Sequence, residues 1–139
     1  MDGKPYLCPL KKNLNFSPAA YLAEREKRLA GRGHLRPSPE AMDFWEASLR
    51  MEGGGFFRLT LPGGETALAA VELTEQGPFA KELLCTPGRE AAFAAALAAH
   101  DSRESCRWRC PPGGAGAERP FGMLSEAVSA PLYFGPAFD

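Results

Sequence analysis

One stretch of the sequence, residues 78–101, constrains the fold more than any other. It reads as a short apolar strand, a Thr-Pro-Gly turn and an alanine-rich helix predicted over residues 88–100. Thr86 is expected to cap this helix, with Pro87 in its first turn and Glu90 near its positive end. Because small side chains let a helix lie close against a sheet, the pattern predicts that this helix is well buried.

Two further helices are predicted in the first third of the chain. Ser17 and Ser38 each precede a proline, which is typical of an N-cap followed by proline at the first helical position. The pattern predicts helices over residues 18–30 and 39–51, the first of them ended by Gly31. The many charges of the first helix are expected to face solvent.

The second helix is strongly amphipathic. Met42, Trp45 and Leu49 recur at helical spacing, with Phe44 and Met51 alongside them. Because aromatic side chains bury a large area, Trp45 and Phe44 are predicted to anchor the core in preference to forming a ligand platform.

From residue 55 the apolar period changes to two, which is typical of strands. Phe57, Leu59 and Leu61 share one face, as do the apolar residues at alternate positions of 67–73. A Pro-Gly-Gly-Glu turn separates the two runs, so a hairpin is predicted, and residues 79–85 are expected to add a third antiparallel strand.

Together these elements predict the α+β class, with a mixed, mainly antiparallel sheet of five or six strands and packed helices. A single domain over residues 1–139 is expected, with two helices in 1–54 and the sheet with its helix in 55–139. A short edge strand near residues 5–8, a Pro-Gly-rich loop at 111–120 and a closing strand near 131–139 complete the prediction.

The composition excludes several classes of function. The formal net charge is −1, so no overall field recruits nucleic acid or an anionic membrane. No apolar run approaches the length of about 20 residues that a bilayer requires, and residues 1–12 lack the apolar centre of a secretory signal. A cytoplasmic location is the expectation.

The four cysteines do not predict a metal site. Cys106 and Cys110 are spaced C-x-x-x-C, but a second pair of ligands would have to come from scattered residues. The interpretation we favour is a half-buried strand, in which both cysteines flank Trp108 on one face. No metal is expected.

The order of hairpin, strand, helix, strand, loop and closing strand over residues 55–139 resembles the second half of the fold of the GNAT (acyl-CoA N-acyltransferase) superfamily. The resemblance implies a GNAT-like fold and acetyl-CoA as the coenzyme. It also implies that residues 82–85 expose backbone groups to the pantetheine arm, while amides of 86–90 and the helix N-terminus hold the pyrophosphate. The opening residues look like the exit from a preceding domain of the same type, which leaves open a tandem protein.

The resemblance therefore implies a set of coenzyme-binding residues, and the sequence departs from the family at several of them. The implied residues are Leu84, Cys85, Thr86, Gly88, Arg89 and Glu90. Where the family has Q/R-x-x-G-x-G/A, this chain has L-C-T-P-G-R-E. One glycine remains, Pro87 removes an N–H donor, and Glu90 puts a negative charge where the phosphates would lie, for which Arg89 compensates in part.

The resemblance implies Glu82 as the catalytic base for an acceptor amine. An ion pair with Lys81 at a sheet edge is the alternative reading of Glu82. The late tyrosine, Tyr133, lies on the closing strand and is not assigned as the acid. His34, between two arginines in a loop, suggests either a small basic site or a solvated loop, and we favour the loop.

Three functions remain open at this point. The first is a degenerate GNAT-like domain that is accessory to an N-acetyltransferase, either as a homodimer or beside a partner acyltransferase domain. The second is an active acetyl-CoA-dependent N-acetyltransferase acting on a small amine. The third is a non-enzymatic oligomerisation or binding module that uses its apolar aromatic segments.

Overall fold

The structure is a computed structural model that describes residues 11–12 and 16–111. In the described part, a five-stranded sheet has the strand order β1-β2-β3-β4-β5, with antiparallel neighbours except for the parallel pair β4 and β5. Helix α3 supplies the crossover that a parallel pair requires. The predicted α+β class is therefore confirmed. The elements are β1 (Lys11–Lys12), α1 (Pro18–Arg28), α2 (Pro39–Met51), β2 (Gly55–Thr60), β3 (Thr66–Thr74), β4 (Gly77–Leu84), α3 (Glu90–His100) and β5 (Arg107–Trp108).

Both predicted serine caps are present. The Ser17 hydroxyl accepts the N–H of Ala20 at 3.1 Å, and the Ser38 hydroxyl accepts the N–H of Ala41 at 3.1 Å. Each cap satisfies an amide that the first helical turn leaves without a partner. Helix α2 has the predicted bounds, whereas α1 ends at Arg28, two residues earlier than expected.

The aromatic anchors of α2 were predicted only in part. Met42 and Leu49 are buried and Trp45 packs against them, but Phe44 is 63% exposed. Two residues along a helix correspond to a turn of about 200°, so Phe44 points away from the side on which Met42 is buried. The prediction that Phe44 anchors the core is wrong.

Apolar side chains are buried on both faces of the sheet. One face packs on α3 and forms what we call the α3-side cluster, with Phe57, Leu59, Val71 and Phe93 among its members. The other face packs on α1 and α2 and forms the α1–α2-side cluster. Its members are Phe16, Tyr21, Leu22, Leu29, Met42, Leu49, Phe56, Leu68, Ala70 and Leu84. Because helices cover both faces, the strands are apolar almost throughout.

Strand β4 contains a β-bulge at Lys81. Against β3, Val71 pairs with Ala80 and the next residue, Ala70, pairs with Glu82, so Lys81 is an extra residue on β4. The bulge places Ala80 in the α3-side cluster while the Glu82 side chain meets α1. The alternative prediction of a Glu82–Lys81 pair at a sheet edge is therefore wrong, since β4 lies between two strands and Glu82 binds α1.

Helix α3 is buried as predicted, with Phe93, Ala94, Leu97 and Ala98 among its buried residues. Its start differs from the prediction, because the helix begins at Glu90 and Arg89 occupies the N-cap position without a side-chain cap. Thr86 instead contributes its carbonyl oxygen, which accepts the N–H of Arg89 at 3.0 Å in the preceding turn. The predicted Thr86 cap is therefore wrong.

Two further expectations can be compared with the structure. Cys106 is buried in the α3-side cluster and Trp108 packs against the same cluster, as the alternation predicted. The charges of α1 do not all face solvent, since Arg25 is completely buried. The predicted strand near 5–8, the loop after Pro111 and the closing strand with Tyr133 lie outside the described residues.

Candidate functional site

A cleft of about 280 Å³ opens where β4 ends, between α1 and the start of α3. It lies at the carboxyl end of the parallel pair β4 and β5, a place where open sheets with crossover helices commonly bind ligands. The cleft is lined by Arg28, Leu29, Arg32, Leu84, Cys85, Thr86, Pro87, Glu90 and Pro111. Four of the residues predicted to bind a coenzyme are thus brought together in its wall, namely Leu84, Cys85, Thr86 and Glu90.

The side chain of Glu90 closes the turn between β4 and α3 by a hydrogen bond within that turn. A carboxylate oxygen of Glu90 accepts the backbone N–H of Gly88 at 2.9 Å, and Glu90 is almost fully buried. Gly88 adopts a positive φ of 92°, a conformation that favours glycine. The amide that an anion would use at this turn is therefore already bound to a carboxylate.

Arg89 does not line the cleft. Its guanidinium donates to both carboxylate oxygens of Glu65, at 3.0 and 3.2 Å, on the exposed surface beyond the β2–β3 turn. The hydrogen bond from Arg89 holds the pKa of Glu65 below its usual range. Arg89 is therefore directed to Glu65, and the compensation for the charge of Glu90 that the sequence suggested is absent from this arrangement.

Arg28 supplies positive charge at the cleft, a role that sequence analysis missed. Its guanidinium donates to the Thr66 hydroxyl at 2.7 Å and to the backbone oxygen of Leu84 at 3.4 Å, which fixes it against the end of β4. It also forms an ion pair with Glu24 at 2.8 Å. The i,i+4 spacing of Glu24 and Arg28 is a sequence signal for that pair, but not for the contact with β4.

The Cys85 thiol in the cleft wall is protonated at neutral pH. Burial, the nearby carboxylate of Glu90 and the neighbouring Cys110 raise the pKa of Cys85 to about 12. A thiol is a nucleophile only as the thiolate, so Cys85 contributes an uncharged, apolar wall.

Glu82 lies at the centre of a buried polar network. Its carboxylate accepts the Tyr21 hydroxyl at 2.6 Å and the Arg25 Nε–H at 2.9 and 3.2 Å, and neither Arg25 nor Glu82 has any exposed side-chain area. Arg25 also donates to the backbone oxygen of Leu35 at 3.0 Å. A general base needs a substrate proton within hydrogen-bond reach, whereas the donors here belong to α1. The catalytic role of Glu82 stays a prediction.

The loop that contains His34 binds back onto α1. The His34 ring lies 3.0 Å from a carboxylate oxygen of Glu26 and 2.7 Å from the backbone oxygen of Arg32. In residues 11–12 and 16–111, no three His, Cys, Asp or Glu side chains come close enough together to hold a metal ion. Within the same residues, no helix combines the length and apolar character that a membrane crossing requires.

A second cleft, of about 270 Å³, lies beside the end of α2. The mostly buried ammonium of Lys81 lies at its edge and forms an ion pair with Glu72 at 3.3 Å. The cleft is lined by Ser48, Leu49, Met51, Glu52, Glu72 and Lys81.

In comparisons with known proteins, no family model, curated protein or solved structure matches this chain. Any assignment of function therefore rests on the geometry of the site itself.

Proposed function

We propose that this chain is a GNAT-like domain with a degenerate coenzyme cleft, which acts as an accessory to an N-acetyltransferase and not as a catalyst of its own. The observation that carries the proposal is the hydrogen bond between the Glu90 carboxylate and the Gly88 amide. It gives the turn after β4 an internal anion in the place where a coenzyme phosphate would bind.

The architecture supports the proposal that the domain is GNAT-like. An antiparallel run from β2 to β4 leads through a tight turn into a buried helix, and the chain returns in β5 parallel to β4. The cleft lies at the junction of β4 and α3, where the resemblance places acyl-CoA. The passage from strand through turn into a buried helix is the part of this arrangement that the sequence predicted, whereas the parallel pairing of β4 with β5 was not predicted.

The chemistry of the turn supports the proposal that the coenzyme cleft is degenerate. Pro87 has no N–H to donate, and Glu90 places a buried negative charge where phosphates would approach. Two like charges at close range in a partly buried site repel strongly. Arg89, the residue suited to offset that repulsion, is held by Glu65.

An accessory domain of this kind would shape a substrate pocket or mediate assembly for a catalytic acyltransferase domain, either in a second copy or in a partner chain. The cleft would then have, in place of a coenzyme site, a wall in which the charges of Glu90 and Arg28 are already bound within the domain.

Isothermal titration with acetyl-CoA tests the proposal. We expect the unaltered chain to bind more weakly than about 100 μM, a standard free energy of about −5.5 kcal/mol. Glu90→Ala, which removes the internal anion, is expected to bind at least tenfold more tightly than the unaltered chain.

The control variant is Glu40→Ala, because Glu40 also lies in the first turn of a helix, α2, but lines neither cleft. It is expected to leave the titration unchanged. Affinity of the unaltered chain tighter than 100 μM would contradict a degenerate cleft. Equal binding by Glu90→Ala and the unaltered chain would contradict the role of Glu90.

A second candidate function is an active acetyl-CoA-dependent N-acetyltransferase that acts on a small amine. The observation that favours it is the pair of guanidinium groups, Arg28 and Arg32, in the cleft wall. Guanidinium groups suit phosphate recognition, although Arg28 is already paired with Glu24. A screen for thiol release from acetyl-CoA over polyamines, amino acids and aminoglycosides tests this candidate, and turnover by the intact chain would replace our first proposal.

A further inference from the structure

Lys81 is an extra residue in the pairing of β4 with both of its neighbouring strands, β3 and β5. On the β3 side, the register passes from the pair Val71 and Ala80 directly to the pair Ala70 and Glu82. On the β5 side, the N–H of Arg109 donates to the Ala80 oxygen at 2.9 Å, and the Arg109 oxygen accepts the Leu83 N–H at 2.8 Å. In a regular parallel ladder, the Arg109 oxygen would accept the N–H of the residue two places after Ala80, which is Glu82. Here it accepts the N–H of Leu83, three places after Ala80.

The extra residue decides which side of the sheet each later side chain faces. With the bulge, Leu83 lies in the α3-side cluster and Leu84 in the α1–α2-side cluster. If β4 paired regularly through Lys81, a shift of one residue would turn every later side chain to the opposite face. Glu82 would then lie opposite Ala69, within the apolar α3-side cluster.

The carboxylate of Glu82 therefore has very different surroundings in the two registers. In the bulged register it accepts hydrogen bonds from Tyr21 and Arg25. In the regular register it would be buried among apolar side chains such as Phe93 and Leu97, and an unpaired buried carboxylate is strongly disfavoured. The apolar residues Leu83 and Leu84 would fit either side.

We propose that the buried network of Tyr21, Arg25 and Glu82 is a register lock, which holds β4 in its bulged pairing with β3. Selection of a unique register is the best-attested role of buried polar groups in protein cores. The stacking of the Tyr21 ring on Phe56, with centroids 4.3 Å apart, fixes the hydroxyl that joins the network. A consequence of the lock is that Lys81 projects beside Glu82 and reaches Glu72 at the second cleft. Bulges commonly redirect a side chain in this way.

Deletion of single residues in the full chain tests whether Lys81 is the extra residue. Deletion of Lys81 leaves Ala80 opposite Val71 and Glu82 opposite Ala70, and it makes both ladders regular. We expect this variant to fold with a melting temperature within about 5 °C of the unaltered chain, the shift that roughly 1 kcal/mol produces at this size. Deletion of Ala80, the matched control, forces Lys81 toward the α3-side cluster and is expected to lower the melting temperature by more than about 10 °C.

A charge-free double variant tests the lock itself. Arg25→Met with Glu82→Leu removes the reason for the bulged register, so cross-strand NMR contacts should now include the regular pair of Ala70 with Lys81. The single variant Tyr21→Phe keeps the ion pair and is expected to retain the contact of Ala70 with Glu82 alone.

Three results would overturn the proposal. The first is a double variant that keeps Ala70 opposite residue 82 as its sole register. The second is a double variant that fails to fold, since replacement of a buried ion pair by apolar residues is otherwise well tolerated. The third, which does not depend on the double variant, is loss of folding when Lys81 is deleted.

Discussion

The guanidinium of Arg25 and the carboxylate of Glu82 meet at 2.9 Å with neither side chain exposed to solvent. This pair joins α1 to the middle of β4. Because both charges have lost their hydration, each depends mainly on the other, with further compensation from Tyr21, Glu26 and the Leu35 carbonyl. The removal of one partner therefore has a different effect from the removal of both.

We expect Glu82→Leu to lower the free energy of unfolding by about 3–5 kcal/mol, since it leaves the Arg25 guanidinium buried without its main partner. The double variant Arg25→Met with Glu82→Leu is expected to lose far less, because it buries no uncompensated charge. Urea unfolding of the unaltered chain, the two single variants and the double variant gives the coupling energy directly. Additive effects of the two single variants would contradict this account.

The Cys85 thiol is expected to be almost inert toward alkylation in the folded protein. With a pKa of about 12, its thiolate fraction at pH 8 is roughly a thousandfold below that of an ordinary thiol. Labelling with iodoacetamide, resolved by mass spectrometry, should modify Cys85 quickly in urea and very slowly in buffer. Glu90→Gln should speed the reaction of the folded chain, because it removes a nearby negative charge. Equal rates with and without urea would contradict the burial of this thiol.

Local rules were sufficient for much of the fold. The hydroxyls of Ser17 and Ser38 accept N–H groups only three residues away, so both helix starts could be predicted from a few neighbouring residues. The alternation of apolar residues likewise predicted the hairpin of β2 and β3. The turn after β4 was predicted only in part, because its place and the charge of Glu90 were expected but the Thr86 cap was wrong.

The rest depended on partners that are distant in the sequence. Arg25 and Glu82 are separated by 57 positions, and no pattern within α1 shows that one of its many charges turns inward. The bulge at Lys81 could not be predicted either, because the sequence of β4 is compatible with two registers. Only the contacts with β3 and β5 distinguish them. Arg28 was missed at the cleft for the same reason, as its partners on β3 and β4 are remote.

Glu24 should make stability depend on pH in the acid range. Burial opposes its charge, but hydrogen bonds from Arg58 and Arg28 outweigh burial and hold the pKa of Glu24 below its usual value. A carboxyl with a lowered folded-state pKa stabilises the protein above its unfolded pKa of about 4.3, and this stabilisation is lost as the pH falls through the folded value.

We therefore expect Glu24→Gln to lower the melting temperature at pH 7 and to approach the unaltered chain below about pH 4. Glu46→Gln is the matched control, because Glu46 pairs at 3.4 Å with Arg50, whose side chain is 60% exposed. Pairs of that kind contribute little. Melting curves between pH 3 and pH 7 measure the difference, and parallel pH profiles for Glu24→Gln and the unaltered chain would contradict the prediction.

Gly54, which links α2 to β2, is expected to tolerate no side chain. A Cβ atom built on Gly54 would lie 1.8 Å from the backbone oxygen of Val71, far inside van der Waals contact, and Val71 is itself paired with the next residue, Gly55. Gly54→Ala must therefore push β2 away from β3, and overpacking of this kind costs about 1–3 kcal/mol or more.

Gly63→Ala in the β2–β3 turn is the matched control, because a Cβ there meets nothing within 4 Å. Urea unfolding should show a clear loss of stability for Gly54→Ala and a change within about 0.5 kcal/mol for Gly63→Ala. Equal stability of the two variants would contradict the close approach of Gly54 to the Val71 carbonyl.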